Sequence, residues 1–92
     1  MNKYQEDSEV AVAEIEKTID TYQLIVHNDE VNTFDWVIAA LIAVCKHNYE
    51  QAEQCAVLVH TRGKYAVKEG SMKQLKPLKD AISERGINAT IE

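Results

Sequence analysis

Hydrophobic periodicity changes several times after residue 20, and the order of these changes limits the folds open to this 92-residue chain. Residues 21–26 are rich in β-branched and aromatic side chains and predict a strand. Apolar residues then recur at the i, i+3, i+4, i+7 spacing of a helix: Phe34, Val37, Ile38, Leu41, Ile42 and Cys45. A second helical stripe follows at Ala52, Cys55, Ala56 and Val59. The pattern predicts one strand followed by two amphipathic helices.

Capping residues mark where these helices begin and end. Asn32 and Asp35 have the spacing of a helix N-cap and its partner, and Asn48 and Gln51 have the same spacing. We therefore expect the first helix to begin after Asn32 and the second after Asn48. Gly63 is the expected end of the second helix, because glycine readily adopts the left-handed conformation that ends helices.

The last third of the chain predicts a strand, a helix and a strand. Residues 64–69 alternate roughly between polar and apolar side chains, as a half-buried strand does. Ser71 and Gln74 have the pattern of a capping box for a third helix. The apolar stripe of that helix is Leu75, Leu78 and Ile82.

Pro77 lies inside the third helical pattern. Because proline lacks an N–H donor and crowds the preceding turn, we expect this helix to begin loosely or to become regular only near Pro77. Gly86 is its expected end, and residues 87–91 predict the last strand. The predicted order is β-α-α-β-α-β, a compact α+β sandwich in which helices pack on one face of a small antiparallel sheet.

The negative charge is concentrated at the start of the chain. Residues 1–20 carry two basic and six acidic side chains, a balance of −4, whereas residues 21–92 carry eight and nine, a balance of −1. We expect residues 1–20 to be a flexible acidic N-terminal extension and residues 21–92 to form the folded core domain. A net charge of −5 argues against binding nucleic acid.

Other features predict the cellular setting. No apolar run reaches the roughly 18–20 residues that span a bilayer, so no membrane partner is expected. The first 20 residues lack the basic start and apolar centre of a signal peptide. We therefore expect a cytoplasmic protein with reduced thiols, and nothing in the sequence requires more than a monomer.

The cysteines and histidines do not have the spacing of a metal or catalytic site. Structural zinc sites need four ligands, usually in two close pairs, and no such pair occurs in this sequence. Cys45 and Cys55 lie on the predicted apolar faces of adjacent helices, which favours buried thiols over nucleophiles. No glycine-rich phosphate loop is present either. We expect no cofactor, no metal and no enzymatic activity, although an enzyme using Cys55 or His60 is the alternative.

The segment from His27 to Val37 is unusual, because acceptor-rich polar residues are followed at once by large apolar ones. One interpretation is a capped turn with Phe34 and Trp36 in the core. The other is a recognition site with two parts, one holding a cation and one holding an apolar side chain. His60 could face this turn if the two helices pack as a hairpin.

This segment and a later one resemble the ClpS family of Clp protease adaptors. The first is Asn28-Asp29-Glu30 followed by Asn32-Thr33-Phe34-Asp35-Trp36-Val37, and the second is Val59-His60 before Gly63-Lys64. The similarity extends from about Tyr22 to Glu92, and the variant residues look most like those of Bacteroidetes-type members. The resemblance implies a fold like the C-terminal domain of the ribosomal stalk protein.

The resemblance also implies a function and its residues. ClpS proteins bind substrates with a bulky apolar N-terminal residue (an N-degron) and deliver them to the ClpA or ClpC unfoldase. Asn28, Asp29 and His60 fall where the family contacts the substrate α-amine. The positions of the family's side-chain pocket are Asn32, Phe34, Val37, Ala56, Val59 and Ile87. Lys73 and Lys76 of the third helix are the expected unfoldase contacts.

Two pocket positions depart from the common pattern of the family, since Phe34 and Ala56 stand where many members have Met. Asn32 stands at the helix start, where many members have Thr, and can serve as a cap. The family's N-terminal extension helps to deliver substrate, which is the role expected of residues 1–20. The alternative is a ClpS-like regulator that binds the unfoldase and changes its substrate choice without binding N-degrons.

Overall fold

A computed structural model of the chain describes residues 21–92, so the predicted extension over residues 1–20 lies outside the described residues. The elements follow in the order β1 (Tyr22–His27), α1 (Phe34–Cys45), α2 (Tyr49–Arg62), β2 (Lys64–Gly70), α3 (Met72–Glu84) and β3 (Ala89–Ile91). The predicted β-α-α-β-α-β order is confirmed. The last strand is shorter than the predicted range 87–91.

The strands form one antiparallel sheet in the order β2-β1-β3. Val26 of the central strand pairs with Tyr65 on one side and Ala89 on the other. A register shift between Leu24 and Ile25 interrupts the pairing with β2. Since side chains alternate along a strand, Leu24 and Val26 share one face of β1.

The core lies between that face and the three helices. Its fully buried members include Leu24 from β1, Leu41 from α1, Leu75 and Ile82 from α3. Ala52, Ala56 and Val59 of α2 belong to the same cluster. The predicted arrangement of helices on one face of a small antiparallel sheet is therefore confirmed.

The ends of α1 differ from the prediction. The N-cap is Thr33, whose Oγ1 accepts a hydrogen bond from the Trp36 N–H at 3.0 Å, so the predicted Asn32 cap is wrong. The side chain of Asn32 does not cap the helix and instead donates hydrogen bonds to Asp29 and to the backbone of Gly86. At the other end, Lys46 adopts a left-handed conformation with φ of 63°, which the sequence did not indicate.

The caps of α2 and α3 follow the sequence closely. Asn48 accepts from the Gln51 N–H at 2.7 Å, and Gly63 ends α2 with φ of 88°. Ser71 and Gln74 form both halves of the capping box.

The expectation of a loose start to α3 is wrong, because α3 is helical from Met72 with Pro77 inside it. The box satisfies the first turn, and Pro77 removes only one donor from a helix anchored by buried Leu75 and Ile82.

Candidate functional site

A cavity of about 240 Å³ opens between the β1–α1 turn, α1 and α2. Its walls come from two stretches of the chain, residues 28–37 and 56–60, and they consist of Asn28, Asp29, Asn32, Thr33, Phe34, Val37, Ala56, Val59 and His60. The structure thus brings eight of the nine predicted substrate-site residues together. Ile87 is not among the lining residues and is 3% exposed in the core. Its predicted place in the pocket is not supported by this lining.

Asp29 organises the turn that leads into α1. Its Oδ1 accepts hydrogen bonds from the backbone N–H groups of Val31 at 2.9 Å and Asn32 at 2.8 Å. Its Oδ2 accepts from Nδ2 of Asn32 at 2.8 Å. The hydrogen bonds from Asn32, backbone first and then side chain, hold the pKa of the Asp29 carboxyl below its usual value. Asp29 is therefore negatively charged at neutral pH.

A backbone hydrogen bond brings the two polar sides of the cavity together. The Asn28 N–H donates to the carbonyl oxygen of Gly63, the C-cap of α2, at 2.8 Å. His60 lies in the last turn of α2, three residues before Gly63. The end of β1 is thus fastened to the end of α2, and this places Asn28 and His60 on the same cavity.

The apolar part of the cavity is built from one turn of each helix. Phe34 and Val37 are three residues apart on α1, and Ala56 and Val59 are three residues apart on α2, so each pair shares a helix face. Ala56 is 2% exposed and Val59 3% exposed, so they form the buried base. Phe34 is 41% exposed and lies at the mouth.

The exposure of Phe34 and Trp36 contradicts one of the two interpretations of the His27–Val37 segment. Both rings were expected in the core under the capped-turn interpretation, yet Trp36 is 42% exposed and Phe34 nearly the same. The Trp36 Nε1–H donates to the carbonyl oxygen of Arg85 at 2.9 Å. The Arg85 guanidinium carbon lies 5.8 Å from the centre of the Trp36 ring. These contacts join the start of α1 to the end of α3.

The charge distribution of the cavity suits a cation with an apolar group attached. Asp29 supplies a carboxylate, Asn28 and Asn32 supply amides, and His60 supplies a ring nitrogen. The last turn of α2, which contains His60, also carries the negative end of the helix dipole. An ammonium group has three donors and no acceptor, so it needs several such groups when it leaves water.

The two thiols are poor nucleophiles in this fold. Cys45 and Cys55 are both buried and free, as predicted from the helix faces. Burial raises the pKa of Cys45 to about 11, and burial also raises the pKa of Cys55. Both are therefore protonated at neutral pH, which argues against covalent catalysis by Cys55.

Two kinds of feature are absent from residues 21–92. No group of three or more His, Cys, Asp or Glu side chains in this range is placed to hold a metal ion. In the same range, no helix is long and apolar enough to cross a membrane.

Sequence reasoning missed Thr33, Trp36 and Arg85. The Thr33-Phe34-Asp35-Trp36 run contains a cap signal, but Asn32 has the same signal one residue earlier. The contact of Trp36 with Arg85 spans 49 residues, and no local pattern indicates it.

The predicted unfoldase contacts, Lys73 and Lys76, lie on α3. Lys73 is exposed, and Nζ of Lys76 lies 2.8 and 2.9 Å from the two carboxylate oxygens of Asp80.

Comparisons with known proteins agree with this architecture. The family model described as ATP-dependent Clp protease adaptor protein ClpS matches residues 17–90. The ATP-dependent Clp protease adapter protein ClpS of Oleidesulfovibrio alaskensis is 32% identical over 59 residues, which are 64% of this chain and 57% of that protein. The match therefore spans little more than half the length of this relative.

A solved structure has the same fold. The structure of Agrobacterium tumefaciens ClpS2 bound to L-phenylalaninamide aligns with a TM-score of 0.68 and 20% identity. The alignment covers 79% of this chain and 95% of that chain. The structural likeness shows the fold, and the family model covers well over half of the sequence. The chain belongs to the ClpS family of ATP-dependent Clp protease adaptor proteins.

Proposed function

We propose that this protein is an N-degron adaptor: it binds the bulky apolar N-terminal residue of a substrate protein and delivers that substrate to a ClpA- or ClpC-type unfoldase. The observation that carries the proposal is a single cavity that combines buried apolar walls with a set of hydrogen-bond acceptors. An N-terminal residue is the one peptide group that presents an ammonium and an apolar side chain on the same carbon.

The polar residues suit the α-amine of such a residue. The ammonium donates three hydrogen bonds, and the carboxylate of Asp29, the amide oxygen of Asn28 and a neutral ring nitrogen of His60 can accept them. A carboxylate–ammonium pair is also charge-assisted, which makes the bond stronger than one between neutral groups. Acetylation of the amine removes the charge and two of the three donors.

The apolar residues suit a single large side chain. A cavity of about 150 Å³ lined by aliphatic and aromatic residues holds benzene, so about 240 Å³ is enough for the side chain of Leu or Phe. Burying such a side chain contributes about 1.5–3 kcal/mol. The related ClpS2 was solved with L-phenylalaninamide, a compound with a free α-amine and a benzyl side chain, and this supports the same ligand class here.

Delivery to the unfoldase is proposed to use the exposed side of α3. Lys73 is exposed there, and Lys76 pairs with Asp80 across one helical turn. The side-chain cavity is built from α1, α2 and the β1–α1 turn, so α3 can bind a partner while the cavity is occupied. Residues 17–90 match the adaptor family model, which supports an unfoldase as that partner.

The test of substrate binding is fluorescence anisotropy with labelled peptides that differ only at the N-terminus: Leu, Phe, Tyr, Trp, Ile and acetylated Leu. We expect binding to some of the first four, with weak binding of the acetylated peptide and of β-branched Ile. Asn28→Ala should weaken binding, whereas Asn88→Ala, at an exposed asparagine outside the cavity lining, should not. Binding of free and acetylated peptides with equal affinity would refute the amine site.

The test of delivery is a pull-down with purified ClpA or ClpC N-terminal domain. The double variant Lys73→Glu/Lys76→Glu should lose the interaction and keep peptide binding. Lys64→Glu/Lys68→Glu on β2 is the matched control, because it makes the same charge change at two other exposed lysines. If the unfoldase domain binds but no N-degron peptide does, the protein is the regulator described as the alternative.

A further inference from the structure

The side-chain amide of Asn32 lies between the cavity and the end of α3. Its Nδ2 donates to Oδ2 of Asp29 at 2.8 Å and to the carbonyl oxygen of Gly86 at 2.9 Å. We propose that Asn32 is a positioning residue for the amine site, holding the Asp29 carboxylate in place and fastening it to the turn that follows α3. This inference rests on the proposed function.

The hydrogen bonds that Asp29 accepts indicate why the orientation of its carboxylate matters. A carboxylate has about four lone-pair positions, two on each oxygen. Both positions on Oδ1 are taken by the backbone N–H groups of Val31 and Asn32. On Oδ2 one position is taken by Nδ2 of Asn32, and one remains for a ligand. Because Asn32 holds this same oxygen in place, it also fixes the direction of the remaining lone pair.

The amide group of Asn32 is matched to two acceptors at once. An amide nitrogen has two hydrogens, and both are used, one toward Asp29 and one toward Gly86. A hydroxyl group has a single hydrogen and could serve only one of the two. Gly86 is 54 residues from Asn32, so this contact ties the amine site to a distant part of the fold.

A second contact provides a control for the proposal. Nε1 of Trp36 donates to the carbonyl oxygen of Arg85, the residue before Gly86, at 2.9 Å. Both side chains thus connect the start of α1 to the same turn. Trp36 is not among the residues that line the cavity and has no hydrogen bond with Asp29 among the described contacts. A variant of Trp36 therefore weakens the connection between α1 and α3 and does not change the hydrogen bonds of the Asp29 carboxylate.

The experiment compares Asn32→Ala with Trp36→Phe in the full chain. Affinity is measured with a Leu-initiated peptide and its acetylated form, and the Asp29 carboxyl is titrated by carbon-detected NMR. We expect Asn32→Ala to weaken binding of the free-amine peptide about fivefold, which corresponds to a loss of about 1 kcal/mol of binding free energy. Trp36→Phe should change this affinity less than twofold, and neither variant should change binding of the acetylated peptide.

The NMR titration separates positioning from simple stabilisation. The side-chain bond from Asn32 lowers the pKa of Asp29, so Asn32→Ala should raise that pKa and Trp36→Phe should leave it unchanged. Asn32→Asp, which has the same shape but no donor, should raise it further because it places a second carboxylate beside Asp29. An Asp29 pKa unchanged in both Asn32 variants would overturn the inference.

Failure of this inference and failure of the proposed function give different results. Equal losses of free-amine affinity in Asn32→Ala and Trp36→Phe would mean that Asn32 only stabilises the fold, and this overturns the inference alone. Lack of binding of the free-amine peptide by the unaltered protein would overturn the proposed function. The inference that depends on it would then fall as well, whatever the NMR titration shows.

Discussion

The indole of Trp36 and the backbone of Arg85 are joined by a hydrogen bond of 2.9 Å, although the residues are 49 positions apart. The guanidinium of Arg85 also lies over the same ring, with its carbon 5.8 Å from the ring centre. The pair fastens the first turn of α1 to the last turn of α3. Phe34 lines the cavity from that same turn of α1, whereas Trp36 is not among the lining residues.

Trp36→Phe should destabilise the protein by about 1 kcal/mol, because an aromatic ring, although a smaller one, remains at this position but the N–H donor to Arg85 is lost. Urea unfolding measures this change. Arg85→Gln is the control: it removes the cation over the ring and keeps the backbone carbonyl that accepts from Trp36. Unchanged stability of Trp36→Phe would mean that the hydrogen bond contributes nothing measurable.

Peptide binding should weaken in acid through His60. A neutral imidazole can accept a hydrogen bond from the α-amine, whereas a protonated one cannot accept and repels the ammonium. Between about pH 7 and pH 5 Asp29 keeps its charge because its pKa is lowered, so a loss of binding in this range does not come from that carboxylate. Anisotropy titrations across this range should show weakening in the unaltered protein.

The control for this pH effect is a pair of histidine variants. His60→Ala should remove most of the acid dependence, whereas His27→Gln should keep it, because His27 hydrogen-bonds to Thr90 and does not line the cavity. An acid profile that persists in His60→Ala would contradict the proposed role of His60.

Folding stability should fall in acid through a different residue, His47. It is 6% exposed, and its Nδ1 has no hydrogen-bond partner within residues 21–92. Burial lowers its pKa below the usual 6.5; a hydrogen bond that the ring donates to the backbone of Val67 opposes this, and the charge of Lys68 lowers the pKa further. The unfolded chain therefore takes up a proton below about pH 6.5 that the folded chain resists, and stability decreases as pH falls from there toward the folded-state pKa.

Urea unfolding at several pH values tests the role of His47. His47→Gln should flatten the dependence below about pH 6.5, since glutamine does not titrate. His27→Gln, at the half-buried histidine of β1, should retain most of it. The same slope in His47→Gln as in the unaltered protein would assign the effect to another group.

Ala56 should control how large an N-terminal side chain the cavity accepts. It lies at the buried base, so Ala56→Met fills space within the cavity of about 240 Å³. Overfilling a packed site costs about 1–3 kcal/mol, which corresponds to roughly 5- to 150-fold weaker binding of Trp- and Phe-initiated peptides. Leu-initiated peptides should lose less. Ala43→Met, on an exposed position of α1, is the matched control.

The thiols should be inert in the folded protein. With the pKa of Cys45 near 11 and that of Cys55 also raised by burial, little thiolate forms at neutral pH. Mass spectrometry after iodoacetamide treatment should find neither thiol labelled in buffer and both labelled in urea. Rapid labelling of Cys55 in the native protein would reopen the enzymatic alternative.

The elements of the fold could be predicted from the sequence because their signals are local, whereas the candidate site residues were predicted from the resemblance of two segments to the ClpS family. The N-cap pair Asn48–Gln51, the capping box Ser71–Gln74 and the helix end at Gly63 each depend on residues within one turn of one another. The helical stripes likewise place Ala56 and Val59 on one face by spacing alone. Asn28, Asp29 and His60 were assigned to one site by the resemblance to the ClpS family, and all three line the cavity.

The tertiary structure decided the features that depend on where α3 ends relative to α1. Asn32 and Thr33 are both good N-cap residues, and Thr33 caps α1 because the Asn32 amide is used by Asp29 and by Gly86. Ile87 follows the turn at Gly86 and is buried in the core, and it is not among the residues that line the cavity. Local sequence specifies dihedral angles and faces, but contacts across about 50 residues form only when the whole core packs, and this packing decides which of two equivalent side chains is free to cap a helix.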